Sequence, residues 1–326
     1  MQRITLGNTI FEGENNAYLF TGESTVLVDT GVAVSEARAE LEAGLTAHGL
    51  GFADVDAVVL THYHADHSGL AGEIQAASGA TVHAHAADAP LIAGESSTWD
   101  AVHETHAQLF EEWGMPDDAR ESLLAHIFDG PDIRGSDPAV EPFDADETLT
   151  FGDLELEVFH TPGHAAGHAC FVLKGGDEFL SGDALLPVYT PNVGGADVRV
   201  DRPLERYLET LERIADRGFD RAWPGHRDPI DDPAGRARYI VEHHEERAFR
   251  VLTVLDDHGP ADAWTVSAHL FGDLEGIHVL HGPGEAYAHL EHLAREGDLE
   301  RTNDGYRLTD DAAERLAGRS DDRWPL

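Results

Sequence analysis

The sequence predicts a layered α/β domain followed by a small unit of helices closed by a β-hairpin. Three observations predict it. Apolar strands alternate with amphipathic helices up to about residue 85. Strands patterned as hairpins resume at 147. After 245 the order becomes helix, helix, hairpin, which is the order of a winged helix. At 326 residues the chain exceeds what one core usually holds, so two units are expected, 1–242 and 243–326.

Each element has a local reason. Residues 2–31 alternate as strands, and STVLVDTG (24–31) is a short apolar strand ending in Asp-Thr-Gly. VSEARAELEAGLTAHGL has helical spacing and stops near Gly49. VDAVVLT is a buried strand running into a loop rich in His and Asp, GLAGEIQAAS is a helix and ATVHAH a strand. Residues 86–140 break this rhythm as an inserted helical segment, either capping a site or making a plain surface excursion. In TLTFGDLELEVFHTPGH and HACFVLKGGDEFLSGDAL, FGD and KGGDE are hairpin turns. PLERYLETLERIAD is an amphipathic helix, FDRAWPGHRDP a last strand and loop, and ARYIVEHHEERAFRVLTVLDDHG a long helix. TVSAHLFG and GEAYAHLEHLAREG are helices, and LERTNDGYRLT folds around an Asn-Asp-Gly turn.

Composition narrows the function. Apolar residues make up 41%, enough for a core, so the excess of 62 acidic over 22 basic residues (net charge −40) does not mean disorder. Lys174 is the only lysine. A carboxylate surface of this kind repels itself in dilute buffer. Molar salt, with a Debye length of about 3 Å, removes the repulsion. The composition therefore reads as that of a salt-in halophile. No basic run offers a footprint for nucleic acid, although Arg199, Arg202 and Arg206 fall close together as a local patch. EAYAHLEHLARE, at the recognition-helix position, is acidic, which argues against duplex DNA. The small unit is expected to pack on the larger one or on a second copy of the chain, so a homo-oligomer stays open. Cys170 is the single cysteine, which excludes an internal disulfide framework and a Cys-based zinc finger. No run of roughly 20 apolar residues and no basic-then-apolar leader is present, so a cytoplasmic protein without membrane partners is expected.

The strongest signal is His62-Tyr63-His64-Ala65-Asp66-His67, three imidazoles and a carboxylate at the end of an apolar strand. These are good ligands for zinc and similar divalent ions. Offsets i and i+2 send His62 and His64 to one side, while Asp66 and His67 turn toward a second point nearby. Further along, Gly163, Gly182 and Gly225 directly precede His164, Asp183 and His226, and glycine there would let the backbone turn and aim the next side chain inward. Taken singly, Asp29 before Thr-Gly reads as a turn residue, Asp183 as a helix cap and His226 as a loop histidine.

THYHADHSG resembles the HxHxDH signature of the metallo-β-lactamase superfamily. Asp29 in LVDTG, His164 in HTPGHAAGH, Asp183 in LSGD and His226 in PGH follow its order, so the resemblance covers about residues 5–240. It implies a four-layer αββα sandwich and a binuclear metal-dependent hydrolase. His62, His64 and His164 would hold one divalent ion, and Asp66, His67 and His226 the other. Asp183 would bridge them, and Asp29 would orient ligands from beneath. Asp66 and Asp183 would also accept or relay a proton. His168 would pack behind the site. The two ions are expected to be zinc, with iron or manganese as alternatives.

An Asp bridge and a small C-terminal module are similar to glyoxalase II-like thioesterases and to the lactamase-β-like group. That implies hydrolysis of a small thioester or ester, with single-stranded RNA as the alternative substrate. A mononuclear iron persulfide dioxygenase is a further alternative on the same scaffold. Tyr63, Tyr189 and Asn192 are candidate substrate contacts, with core or turn roles equally open.

Overall fold

The computed structural model describes residues 1–7, 13–129 and 133–326, and only the backbone of 127–129. Parts of the predicted N-terminal strands (8–12) and of the insert (130–132) lie outside the described residues. The chain opens with β1 (Gln2–Leu6), β2 (Asn15–Phe20) and β3 (Val26–Val28), then α1 (Ser35–Thr46). Next come β4 (Ala57–Val59), α2 (Ala65–Ser68), α3 (Ala71–Ser78) and β5 (Thr81–His85). The insert supplies α4 (Ala89–Ile92), α5 (Ser96–Glu112) and α6 (Asp117–Asp129). They are followed by β6 (Val140–Phe143), β7 (Thr148–Phe151), β8 (Leu154–His160), β9 (Ala169–Leu173) and β10 (Glu178–Gly182). α7 (Pro203–Arg217), β11 (Arg221–Pro224) and α8 (Pro233–His258) come next. The chain ends with α9 (Ala263–Phe271), α10 (His278–Arg295), β12 (Leu299–Thr302), β13 (Gly305–Leu308) and α11 (Asp310–Ala317).

Two sheets form the middle layers. One has the order β1-β2-β3-β4-β5-β6, antiparallel up to β3 and parallel from there to β6. The other has the order β11-β10-β9-β8-β7, antiparallel except for the β10–β11 pair. Side chains alternate between faces along a strand. Val26 and Val28 therefore meet Val158 and Phe171 of the opposite sheet, while Leu27 between them turns outward to Leu41 and Leu45 of α1. On the far side, Cys170 and Val172 pack under Leu211 of α7 and Ile240 of α8. The layers thus run α, β, β, α, and the loops at one end of both sheets carry the candidate ligands.

The long helix expected from ARYIVEHHEERAFRVLTVLDDHG is α8, and it runs unbroken across residue 242. Its later turns share an apolar core with the insert: Phe110, Trp113, Met115 and Leu123 pack with Val251, Leu255, Leu290 and Trp324. The inserted segment is therefore more than a surface excursion. α10 also begins six residues before the predicted GEAYAHLEHLAREG helix, so Gly282, Pro283 and Gly284 lie inside it. Each such glycine costs a helix roughly 1 kcal/mol and an interior proline about 3 kcal/mol. Sequence reasoning places a boundary there, and only tertiary packing overrides it.

Candidate metal centre

The site is assembled where strands end. Asp29 follows β3 in the left-handed region (φ 59°), and its backbone N–H donates to the Val59 carbonyl at 3.0 Å. That anchors its buried carboxylate beneath the loop after β4. The Thr61 backbone N–H and hydroxyl both donate to it at 2.8 Å, and His67 Nδ1 lies 2.8 Å from it. One helical turn, α2, swings Asp66 and His67 away from His62 and His64. His164, Asp183 and His226 arrive from the loops after β8, β10 and β11.

The glycines before them act by two means. Gly182 (φ 47°) needs the left-handed backbone. Gly225 does not; a Cβ there would strike Asp183 Oδ1 and the His67 ring, so close approach, and not turning, requires glycine.

The seven expected ligands form two linked groups. His62 Nε2 lies 2.8 Å and His164 Nε2 3.0 Å from His64 Nδ1. His226 Nε2 lies 3.4 Å and His67 Nε2 3.8 Å from Asp66 Oδ2. Asp183 sits between, with Oδ1 3.4 Å from His67 Nε2, and Oδ2 3.3 Å from His226 Nε2 and 3.8 Å from His164 Nε2. Each triad, His62/His64/His164 and Asp66/His67/His226, has its donor atoms within 4.8 Å of one another.

Hydrogen bonds fix which nitrogens face inward. The Asn192 carbonyl can only accept, so His164 Nδ1 carries the proton and Nε2 presents its lone pair. The Thr61 hydroxyl spends its proton on Asp29, so it accepts from His62 Nδ1–H at 3.1 Å, and His62 Nε2 is left bare. His67 Nδ1–H points to Asp29, which does the same for His67 Nε2. His168 is the opposite case. Its Nε2 accepts from the Asp183 backbone N–H at 2.9 Å and its Nδ1 pairs with the Thr161 hydroxyl at 2.8 Å, so no lone pair remains for a metal.

The donor set fits a pair of divalent cations on two grounds. First, His67 Nε2, Asp183 Oδ1 and His226 Nε2 are buried without hydrogen-bond partners, yet buried polar atoms are nearly always paired. Second, the two halves differ electrostatically. Burial and the neighbouring imidazoles push His62 and His64 well below the usual histidine range, so that half stays neutral with its lone pairs available. Burial would push His67 and His226 down as well. The Asp183 and Asp66 carboxylates override it, holding His67 high and lifting His226 to about 10. Burial would raise both aspartates, yet these histidines hold them below the usual carboxylate range. The acidic half thus demands positive charge, which a cation supplies in place of protons.

Several residues around the site are not legible in the sequence. Asn15 Nδ2 donates to Asp66 Oδ2 at 3.3 Å, and Asn16 Nδ2 donates to the carbonyls of Pro224 and Arg227, flanking His226. Two asparagines in a buried strand are poor strand formers, and that was the available signal. Buried Asp88 accepts from Tyr63 N–H, Gly167 N–H and Arg199, while Asp197 accepts from Ala166 N–H and Arg199. This clamp ties together the loops that carry His64 and His164. A lone Asp in a connecting loop gives no warning of it.

Arg199 is therefore committed to buried carboxylates, while Arg202 pairs with Asp201 and Glu205, and Arg206 with Glu209. The suspected basic patch is internally neutralised. Of the candidate substrate contacts, Tyr63 packs its ring against His64 and donates its hydroxyl to the Ala196 carbonyl. Tyr189 is exposed, with its hydroxyl accepting from Arg227 at 2.8 Å. Asn192 shows the turn role that was open to it. Its side chain is spent on the His281 carbonyl and on the N–H groups of Gly195 and Ala196, and its carbonyl orients His164.

His85 and His160 stack with their ring centroids 4.2 Å apart. Burial and the neighbouring His160 push His85 down to about 4, and its Nδ1 accepts from the Ala87 N–H, which requires the neutral ring. A histidine with a lowered folded pKa leaves stability intact above the ordinary 6.5 and drains it as pH falls toward 4. The urea midpoint of the parent should therefore fall more steeply between pH 6.5 and 4 than that of His85→Gln. Parallel curves would remove His85 from the acid response.

A four-layer sandwich with a His/Asp cluster at its sheet ends defines a class, the metal-dependent hydrolases. Comparison with known proteins bears this out. Residues 10–226 match the family model described as the metallo-beta-lactamase superfamily. The chain is 28% identical over 297 residues to the "Probable metallo-hydrolase YqjP" of Bacillus subtilis, covering 87% of this chain and 89% of that one. It is 27% identical to the "Beta-lactamase-like protein 2 homolog" of Drosophila melanogaster, covering 74% and 68%. The crystal structure of the metallo-beta-lactamase family protein TTHA1429 from Thermus thermophilus superposes with a TM-score of 0.80 at 32% identity, covering 94% of this chain and 98% of that one. The chain belongs to the metallo-beta-lactamase superfamily and is a metallo-hydrolase of that fold. Among the described residues no helix is long and apolar enough to cross a membrane.

Proposed function

We propose that the protein hydrolyses a small thioester or ester at a binuclear centre. The carrying observation is the convergence of His62, His64, His164, Asp66, His67, Asp183 and His226, with Nε2 of His62, His67 and His164 turned inward by the bonds their Nδ1 atoms make. His62, His64 and His164 would hold one divalent cation, Asp66, His67 and His226 the second, and Asp183 would face both. When bound, such a pair polarises the substrate oxygen and brings the pKa of water from 15.7 toward about 7.

The chain's own groups do the rest. Asp29 and Thr61 engage Nδ1 of His67 and His62, so that each ring turns Nε2 toward the centre. Asp66, steadied by Asn15 Nδ2, and Asp183 are placed to take the proton released on attack. The Tyr63 ring and exposed Tyr189 are the proposed substrate walls. Zinc is the proposed metal. Iron is the alternative, supported by a neighbour, TTHA1623 in a di-iron-bound form, at TM-score 0.50 and 26% identity, covering 72% of this chain and 96% of that one.

Two observations favour a small substrate over single-stranded RNA. The net charge is −40, and Arg199, Arg202 and Arg206 are paired with carboxylates. A polyanion would find no counterions in that patch. The test is metal analysis on protein purified in molar KCl, followed by assays on an acyl thioester, a simple ester and labelled single-stranded RNA. Two metal equivalents with thioester or ester turnover that vanishes on chelation is the expected result. RNA cleavage alone, one iron per chain with persulfide oxidation, or activity untouched by exhaustive chelation would each overturn the reading.

A further inference from the structure

The Gly-Pro-Gly run inside α10 is unfavourable for a helix and serves none of the chemistry above, yet its place in the fold is specific. Gly284 rests on the backbone of Gly195, and a Cβ on Gly284 would drive into the Gly195 Cα. The loop side is tight as well, since a Cβ on Gly195 would lie 2.9 Å from the His281 Cα of the same helix. Gly194 completes it, with a left-handed backbone (φ 90°) and a Cβ position 3.0 Å from the Gly284 carbonyl. The helix thus lies directly on the backbone of the 192–196 loop, and the glycines permit that approach.

One residue of that loop connects the helix to the ligands. Asn192 Nδ2 donates to the His281 carbonyl of α10 at 3.2 Å. Asn192 Oδ1 accepts from Gly195 N–H at 3.2 Å and Ala196 N–H at 3.1 Å, which folds the loop back on itself. The Asn192 carbonyl then accepts from His164 Nδ1 at 2.9 Å, the bond that turns His164 Nε2 toward His64. On the same loop, the Ala196 carbonyl holds the Tyr63 hydroxyl at 3.1 Å, next to His64.

From this geometry we infer that α10 controls the three-histidine half of the centre, with Asn192 as the positioning residue between helix and ligand. The inference rests on the metal-centre reading above. It adds that the C-terminal segment sets metal affinity at one half of the site and leaves the other half alone, because Asp66, His67 and His226 are held instead by Asn15 and Asp29.

Cobalt(II) chloride titrated into chelator-stripped full-length protein, followed by binding isotherm and visible absorption, tests this. Parent protein should take up two equivalents. His164→Ala, the reference, should weaken one of them. Asn192→Asp keeps the oxygen that accepts from Gly195 and Ala196 but sets a carboxylate against the His281 carbonyl, so it cuts the link to α10, while its added negative charge would by itself favour a cation and cannot account for a loss. It should weaken the same equivalent by about 10- to 100-fold, the usual range for partners behind a metal ligand, and alter that ion's absorption band. Gly284→Ala should do likewise by lifting the helix off the loop. Should that variant misfold, Asn192→Asp on its partly exposed loop still decides. If His164→Ala weakens one equivalent and Asn192→Asp binds both like the parent, α10 control is overturned and the centre stands. If His164→Ala changes nothing, or the parent takes up no cobalt, both fall together.

Discussion

His64→Ala is expected to lower turnover by at least about 10³-fold while leaving the metal-free protein nearly as stable as the parent. His64 Nδ1 is the meeting point of the three-histidine group, within 3.0 Å of both His62 Nε2 and His164 Nε2. Removing a group behind a ligand already costs about 10- to 100-fold in affinity or activity, and losing the ligand itself costs more. The fold has little at stake, because His64 is only half-buried and its Nε2 has no hydrogen-bond partner. A change in unfolding free energy within about 1 kcal/mol is expected for the chelated protein. The measurement is kcat/KM beside urea unfolding in chelator. Full activity would remove His64 from the chemistry, and collapse of the chelated variant would make it a structural residue.

Asp183→Asn should damage both halves of the centre at once. The two oxygens of Asp183 face His67, His226 and His164, so the side chain belongs to neither triad alone. The amide removes a negative charge and turns N–H groups toward lone pairs that must remain bare. Metal content should fall from two equivalents to one or fewer, with turnover down on the order of 10³-fold. The backbone bond from Asp183 N–H to His168 is untouched by the change, so the loop after β10 should keep its course. Retention of two tightly held ions would rule out the bridging role.

Much of this was legible in the sequence because it was local. The apolar run in STVLVDTG announced a buried strand, whereas the faces taken by Val26, Leu27 and Val28 came from the packing, since all three are apolar. The HYHADH run announced a metal site because few other uses exist for three imidazoles and a carboxylate in six residues. Spacing told less about later ligands, since His164, Asp183 and His226 each sit alone in a loop. The motif order of the family, and not their own neighbourhood, singled them out. Asn15, Asn16, Asp88 and Asp197 gave almost no signal. Each acts through a partner tens of residues away or more, and polar residues in loops and strand ends are common for many other reasons.

The sequence by itself determined the α/β alternation, the acidic charge balance and the ligand chemistry, because these follow from hydrophobic period, charge count and residue type, while the four-layer order came from the family resemblance. Only the tertiary structure decided which nitrogens of His62, His67 and His164 face inward, that Arg199 is locked to Asp88 and Asp197, and that the Asn192 carbonyl pairs with His164. It also carried a helix through Gly-Pro-Gly against its local preference. The physical reason is the same throughout. Tautomers, ion pairs and close backbone contacts are fixed by groups remote in the chain and near in space, and no local pattern records which ones will meet.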